Sequence, residues 1–469
     1  MTEITERLAG FAAGLDLTAV PPEVVERAKM LILDTVGIAV RARHDADSTP
    51  AMMQAVGALG LDGGGAASVF ADRQGYAPPA AALVNGALAH SLDFDDTHAA
   101  SSLHPSAPVL PAALAAAEMT GASGAGLLAG VIAGYEVITR ISMALGPGDH
   151  YERGFHPTAT CGAFAAAAAA GRVFGLTAER MASGLGIALS QAAGSLQFLE
   201  NGAWTKRYQV GAAAMAGLMA ATFARAGYVG AAEPIEGRLG FLHGYAPDAR
   251  PAKAVAGLGE VWETLAIAVK PYPACRFTHA SMDAVIALRR EHGFRPGEVR
   301  RLVCGLPKKG ILLTGEPIAH KRAPKNVVDG QFSMPFVAAV GLFRGEMGWD
   351  DYATCLKDPE VMAACGRVEV EHDPEAEAAY PDRLAGSATV VLADGRELRR
   401  FVGAPKGEPE NFVTPEELRA KFRALVRPYV GEAGEAALFR AVMGLEDGGA
   451  AELFRHAAPP EAVAAAGED

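Results

Sequence analysis

The chain is poor in aromatics, has no paired cysteines or basic runs, and lacks an unbroken apolar stretch of membrane-spanning length. Each shortage excludes something. Aromatic residues make up 7% of the chain although half of it is hydrophobic, so the interior is filled by small aliphatic residues in a helix-rich arrangement. Cys161, Cys275, Cys304, Cys355 and Cys365 show no CxxC spacing, which excludes a sequence-local zinc or iron–sulfur motif and leads to an expectation of no metal. Their odd number, with the acidic start MTEITERLAG in place of a leader, points to a reduced, cytoplasmic protein. A net charge of −12 without a basic run argues against nucleic acid as a partner. Met119 to Tyr135 is uncharged but only 17 residues long and interrupted by GASGAG. A bilayer needs about 20, so a buried core helix is expected here, and no membrane.

What is present is a dense polar stretch. SLDFDDTHAASSLHPSAPVLP, from Ser91 to Pro111, packs three carboxylates, a threonine and two histidines between flanks of Ala, Val, Leu and Gly. A helical turn over Leu92 to Thr97 would put Asp93, Asp96 and Thr97 on one face and turn Asp95 elsewhere. His104-Pro105 precedes a helical pattern, so the histidine belongs at a helix N-terminus, where backbone N–H groups favour an anion. His156-Pro157 repeats that design. The bland alternative is a polar loop whose Asp and Ser serve as caps; the cluster as a whole points to a site.

Other candidates lie along the chain. Tyr135 and Arg140 fall in an apolar helical pattern, where Arg140 is either a pocket cation or a snorkelling surface residue. Lys206-Arg207 precedes a helix too apolar to be surface, and such a pair could clamp a carboxylate or simply be solvated. At 469 residues two domains are expected. Helical patterns dominate 1–265. After KPYPACRFTHA, with Lys270, Cys275 and His279, strand signals appear in VRRLVCGL, RVEVEH and SATVVLADGRELRRFVG, the last with an Asp394-Gly395 hairpin turn. Residues 266–403 thus read as a smaller α+β domain, and 404–469 as helices returning to the first, beginning at a Thr414–Glu417 capping box and ending in a frayed tail after about Ala457.

The blocks SLDFDDTH, HPSAPVLPA, GYEVITR, GFHPTAT, WTKRYQVG, KPYPACRFTHA, QFSMPF and PKGEPEN, in this order, resemble the MmgE/PrpD family, which includes 2-methylcitrate dehydratase, cis-aconitate decarboxylase and iminodisuccinate epimerase. The resemblance implies a mainly α fold, with a large all-helical domain built from both ends of the chain, a smaller inserted α+β domain, and a homodimer. It also implies catalysis on a small polycarboxylate without metal or organic cofactor. Carried over by motif, Asp93, Thr97, His104, His156, Lys206 and Lys270 form the pocket, followed by Tyr135 and Arg140 as substrate contacts; Arg207, Cys275 and His279 are further substrate-contact candidates from the residues themselves. Two positions depart from the pattern: Cys275 stands where the decarboxylase branch has a histidine, and Gln209 where the family often has one. The expected activity is therefore a 2-methylcitrate dehydratase-like hydro-lyase, with epimerase and decarboxylase as alternatives and a non-catalytic carboxylate-binding protein as a remote one.

The residue types suit such chemistry. Charge develops beside a carboxylate, where cations stabilise it. Histidine moves protons near neutral pH, and an aspartate beside it supports the imidazolium.

Overall fold

Small residues sit where helices cross. The computed structural model describes residues 4–459, so most of the tail expected to fray lies outside the described residues. The chain divides into two units, one of residues 1–267 with 419–469, the other of 268–418.

The larger unit is helical. Its helices include α1 (Pro22–Asp45), α2 (Pro78–Ala89), α3 (Ser106–Thr120), α4 (Gly124–Leu145), α5 (Pro157–Val173) and α6 (Thr205–Arg225). Close helix approach depends on missing side chains. A Cβ on Gly211 would lie 2.1 Å from the Leu83 carbonyl oxygen, and one on Gly217 would lie 2.3 Å from the Ala166 Cβ, so α6 presses backbone to backbone on α2 and α5. Helix α4 is the one described helix long and apolar enough to cross a membrane, and it is almost wholly buried, as the sequence reading expected. Both His-Pro steps open helices: Pro105 precedes α3, and His156 is the N-terminal flanking residue of α5.

The smaller unit holds four strands, β1 (Val299–Leu306), β2 (Val368–His372), β3 (Gly386–Leu392) and β4 (Glu397–Val402), in the order β2-β1-β3-β4. β1 pairs with β2 in parallel and with β3 antiparallel, in register Leu302 to Val368 and Cys304 to Ala388. Alternate residues Leu302, Cys304 and Leu306 are buried, as are Ala388, Val390 and Leu392, which is the period-two pattern of a half-covered sheet. The β3–β4 hairpin turns at Asp394-Gly395, Gly395 taking φ +91°. Helices α7 (His279–His292) and α8 (Met334–Arg344) supply the remaining core. This unit continues beyond residue 403 because the Val269 N–H donates to the Gly407 carbonyl at 3.0 Å and Arg276 pairs with Glu408 at 2.7 Å. The capping box is present, with Thr414 N–H on Glu417 Oε2 and Glu417 N–H on Thr414 Oγ1.

Candidate active site

The polar stretch is not helical between His90 and Pro105. Asp93 takes φ +51°, in the left-handed region that Asp tolerates better than most residues. This turn, not a helical face, sorts the three carboxylates, and the helical expectation for Leu92 to Thr97 fails there. Asp93 meets Lys206 Nζ on the first turn of α6 at 2.6 Å. Asp96 turns away to the start of α3, accepting from Ser106 N–H at 3.2 Å and Ser106 Oγ–H at 2.5 Å. Asp95, expected to point elsewhere, lies fully buried at the centre of a histidine cluster.

Three imidazoles surround it. His90, at the C-terminal end of α2, donates Nδ1–H to Asp95 Oδ2 at 2.6 Å. His104 Nδ1 lies 3.3 Å from the same oxygen. The His90 ring meets His104 edge-on at 4.8 Å and stacks on His156 at 5.7 Å. His156 Nδ1 is 2.8 Å from the Gln209 side-chain nitrogen, and Gln209 stands one turn after Lys206 on α6. Helices α2, α3, α5 and α6 thus each bring an end, or the residue beside it, to one spot.

Burial sets the protonation. It draws His90 down to about 4, against the opposing pull of Asp95, and puts His156 well below the ordinary histidine range, with His90 and Lys206 adding to it. Burial pushes Asp95 up, but His90 and His104 outweigh it and hold the carboxyl well below the usual range. The cluster therefore contains a carboxylate anion beside two histidines, His90 and His156, that burial keeps neutral; His104 retains the most access, at 14% side-chain exposure. Asp96 is the opposite case. Burial, reinforced by Asp95, raises it to about 8 over the hydrogen bonds from Ser106.

His90, Asp95 and His104 bring donor atoms within 4.8 Å of one another, a trio that spacing along the chain does not reveal. Two ligands of one tetrahedral zinc, each at about 2.0–2.1 Å, stand roughly 3.3 Å apart. The 2.6 Å between His90 Nδ1 and Asp95 Oδ2 is instead a hydrogen-bond distance, and the trio as built does not fit a shared ion. His90 Nε2, Asp95 Oδ1 and His104 Nδ1 make no hydrogen bond among the described residues, so the 3.3 Å between His104 and Asp95 is an ion-pair distance and hydrogen-bonding capacity is left inside the cluster.

Of the residues singled out in the sequence, Asp93, His104, His156 and Lys206 come together. Thr97 follows on the same segment and is partly buried. Lys270 is buried in the smaller unit. Five others have structural positions. Arg140 is fully buried, its guanidinium donating to Glu136 at 3.1 Å and to the Ala256 and Val261 carbonyls at 2.5 and 2.6 Å. Tyr135 bonds Ser106 behind Asp96. Arg207 pairs with Asp47 and donates to Ser48, and is buried, not a solvated charge. His279 has both ring nitrogens engaged, Nδ1 by Arg276 at 2.7 Å and Nε2 by the Ala274 carbonyl at 3.1 Å. Cys275 is buried, its backbone N–H bonded to the Gln331 carbonyl. Sequence reasoning overlooked His90 and Asp95; their one signal is a histidine five residues before an aspartate at the end of an apolar helix. A cleft of about 810 Å³ lined by Ile311, Pro317 and Arg322 contains no histidine, so chemistry and not cleft size locates the site.

Models of the MmgE/PrpD N-terminal domain and the MmgE/PrpD C-terminal domain match residues 6–253 and 272–447. Among curated relatives, a cis-aconitate decarboxylase-like protein of Aspergillus oryzae is 29% identical, with 94% of each chain covered. A cis-aconitate decarboxylase of Aspergillus terreus is 30% identical over 90% of this chain and 89% of its own. Another from Homo sapiens is 27% identical over 95% and 92%.

Proposed function

The chain belongs to the MmgE/PrpD family, and from that premise we propose that it is a lyase on a small polycarboxylate, decarboxylating cis-aconitate or a close analogue. The observation that carries this reading is similarity along nearly the whole of both chains to relatives named cis-aconitate decarboxylase. The cluster supports it. Decarboxylation breaks the C–C bond to one carboxylate, leaves the electron pair on the carbon chain beside another, and ends when carbon takes a proton. Lys206 opposes the charge that develops. His104 delivers the proton, and the Asp95 carboxylate stabilises its imidazolium. Asp93 holds Lys206 in place, and the resemblance adds Thr97 from the same segment. In this reading residues 268–418 are an inserted α+β domain, and the working form is a homodimer.

A 2-methylcitrate dehydratase-like reaction is the second reading. Cys275, where the resemblance places a histidine in the decarboxylase branch, and Gln209, where the family often has one, count against the first reading and leave the dehydratase and epimerase open. The test is purified protein in deuterated water with EDTA, given cis-aconitate or 2-methylcitrate and followed by NMR and CO2 release. Release of CO2 with deuterium entering the product supports the first reading. Water loss from 2-methylcitrate without CO2 moves the assignment to the hydro-lyase, and exchange alone moves it to an epimerase.

A further inference from the structure

The cluster holds two reachable histidine roles and one residue that separates them. The Ser195 backbone N–H donates to Gln209 Oε1 at 2.9 Å. A backbone N–H cannot accept, so this bond fixes which end of the amide is oxygen. The amide NH2 must then be the end facing His156 Nδ1 at 2.8 Å. An amide NH2 only donates, so Nδ1 accepts and the ring proton sits on Nε2.

We propose that Gln209 is a positioning residue that locks His156 as the neutral Nε2–H tautomer, making it a fixed hydrogen-bond donor to a substrate oxygen and leaving proton transfer to the Asp95-backed His104. Protonating His156 at Nδ1 would set two N–H groups against each other and break the Gln209 bond. Its Nε2 already carries a proton, so the ring has no lone pair to offer as a base without turning over its tautomer. His104 has the complementary arrangement. With Nδ1 within ion-pair distance of the Asp95 carboxylate, at 3.3 Å and not hydrogen-bonded to it, its Nε2 is the atom placed to accept and return a proton. The titratable or charged groups acting on the His156 ring are His90, Lys206, His104 and Asp95; the first three oppose an imidazolium there and Asp95 favours one. The proposal assigns roles within the lyase reading but rests on the Gln209 geometry, and its first test needs no substrate.

The experiment is a long-range ¹H–¹⁵N spectrum of the full chain labelled with ¹⁵N-histidine, the His156 signals being identified with His156→Gln. Expected is a neutral Nε2–H ring throughout, from about pH 6 to pH 8. An Nδ1–H ring or an imidazolium in that range overturns the proposal, whether or not cis-aconitate is the substrate. Gln209→Glu keeps the acceptor for Ser195 but turns the other oxygen into an acceptor. It should convert His156 to Nδ1–H or to imidazolium and lower kcat about tenfold or more with little change in KM. A Glu variant whose His156 stays Nε2–H also overturns it. If that variant fails to fold, the wild-type spectrum decides.

Discussion

Asp95 and Asp96 are neighbours in sequence held in opposite protonation states. Asp95 is surrounded by imidazoles that favour its anion, while Asp96 faces a serine hydroxyl and a tyrosine and is pushed up to about 8. Two predictions follow from the contrast. Asp95→Asn removes the charge that supports an imidazolium at His104, and kcat should fall on the order of 10²- to 10⁴-fold with modest change in KM; steady-state kinetics on whichever of cis-aconitate and 2-methylcitrate is turned over measures it, and near-wild-type turnover would remove Asp95 and His104 from the chemistry. Asp96 concerns stability. Its folded pKa is raised above the unfolded value near 4, so its contribution is fully present below about pH 4 and is lost as pH rises toward 8, on the order of a few kcal/mol. Asp96→Asn, which can accept from the Ser106 N–H and donate to its hydroxyl, should flatten the decline in Tm between about pH 5 and pH 8. A decline as steep as that of wild type would show that Asp96 is ionised in the fold.

At the scale of elements, the site depends on helix ends, and helix ends depend on how closely the helices approach. Lys206 and Gln209 reach the cluster because α6 lies against α2 without a side chain between them at Gly211. Gly211→Val would force the Leu83 carbonyl away and shift α6. The expected cost is roughly 1–3 kcal/mol or more, read as a lower urea midpoint, with kcat reduced as well because Lys206 and Gln209 move with the helix. An unchanged midpoint would mean that the crossing has slack. Much at this scale was legible in the sequence: the His-Pro helix starts, the capping box at Thr414, the buried α4 and the period-two strands with their Asp-Gly turn all follow from local patterns. The run from Leu92 to Thr97 was not. Its spacing suits a helical face, and only tertiary context puts Asp93 into a left-handed turn that exchanges the directions of Asp95 and Asp96. His90, Tyr135 and Arg140 were obscured for a related reason, since a polar residue in an apolar helix can serve a site or a buried partner, and sequence does not show which partner it will meet.

At the scale of the molecule, the two ends of the chain share one unit, and the C-terminal part supports the site from behind. Lys421 lies between Asp34 of α1, at 2.6 Å, and the Phe94 carbonyl, at 2.9 Å, with its ammonium 3.7 Å from the Phe94 ring centre. Phe94 stands between the carboxylate that holds Lys206 and the one at the centre of the histidines. A residue more than three hundred positions away therefore fixes the loop that sorts the site's charges, a link that no local pattern announces. Asp34 is 1% exposed, so removing Lys421 takes a 2.6 Å ion-pair partner from a buried carboxylate. Lys421→Met should destabilise by about 3–5 kcal/mol, measured by denaturant unfolding. The double variant Lys421→Met/Asp34→Leu should recover much of that stability, because it removes the buried charge as well. Activity should separate the two roles of Lys421: the double variant regains its fold but still lacks the donor to Phe94, so kcat should stay low. Full recovery of both stability and turnover would show that Lys421 serves only to neutralise Asp34, and that the loop bearing Asp93 and Asp95 holds its shape without it.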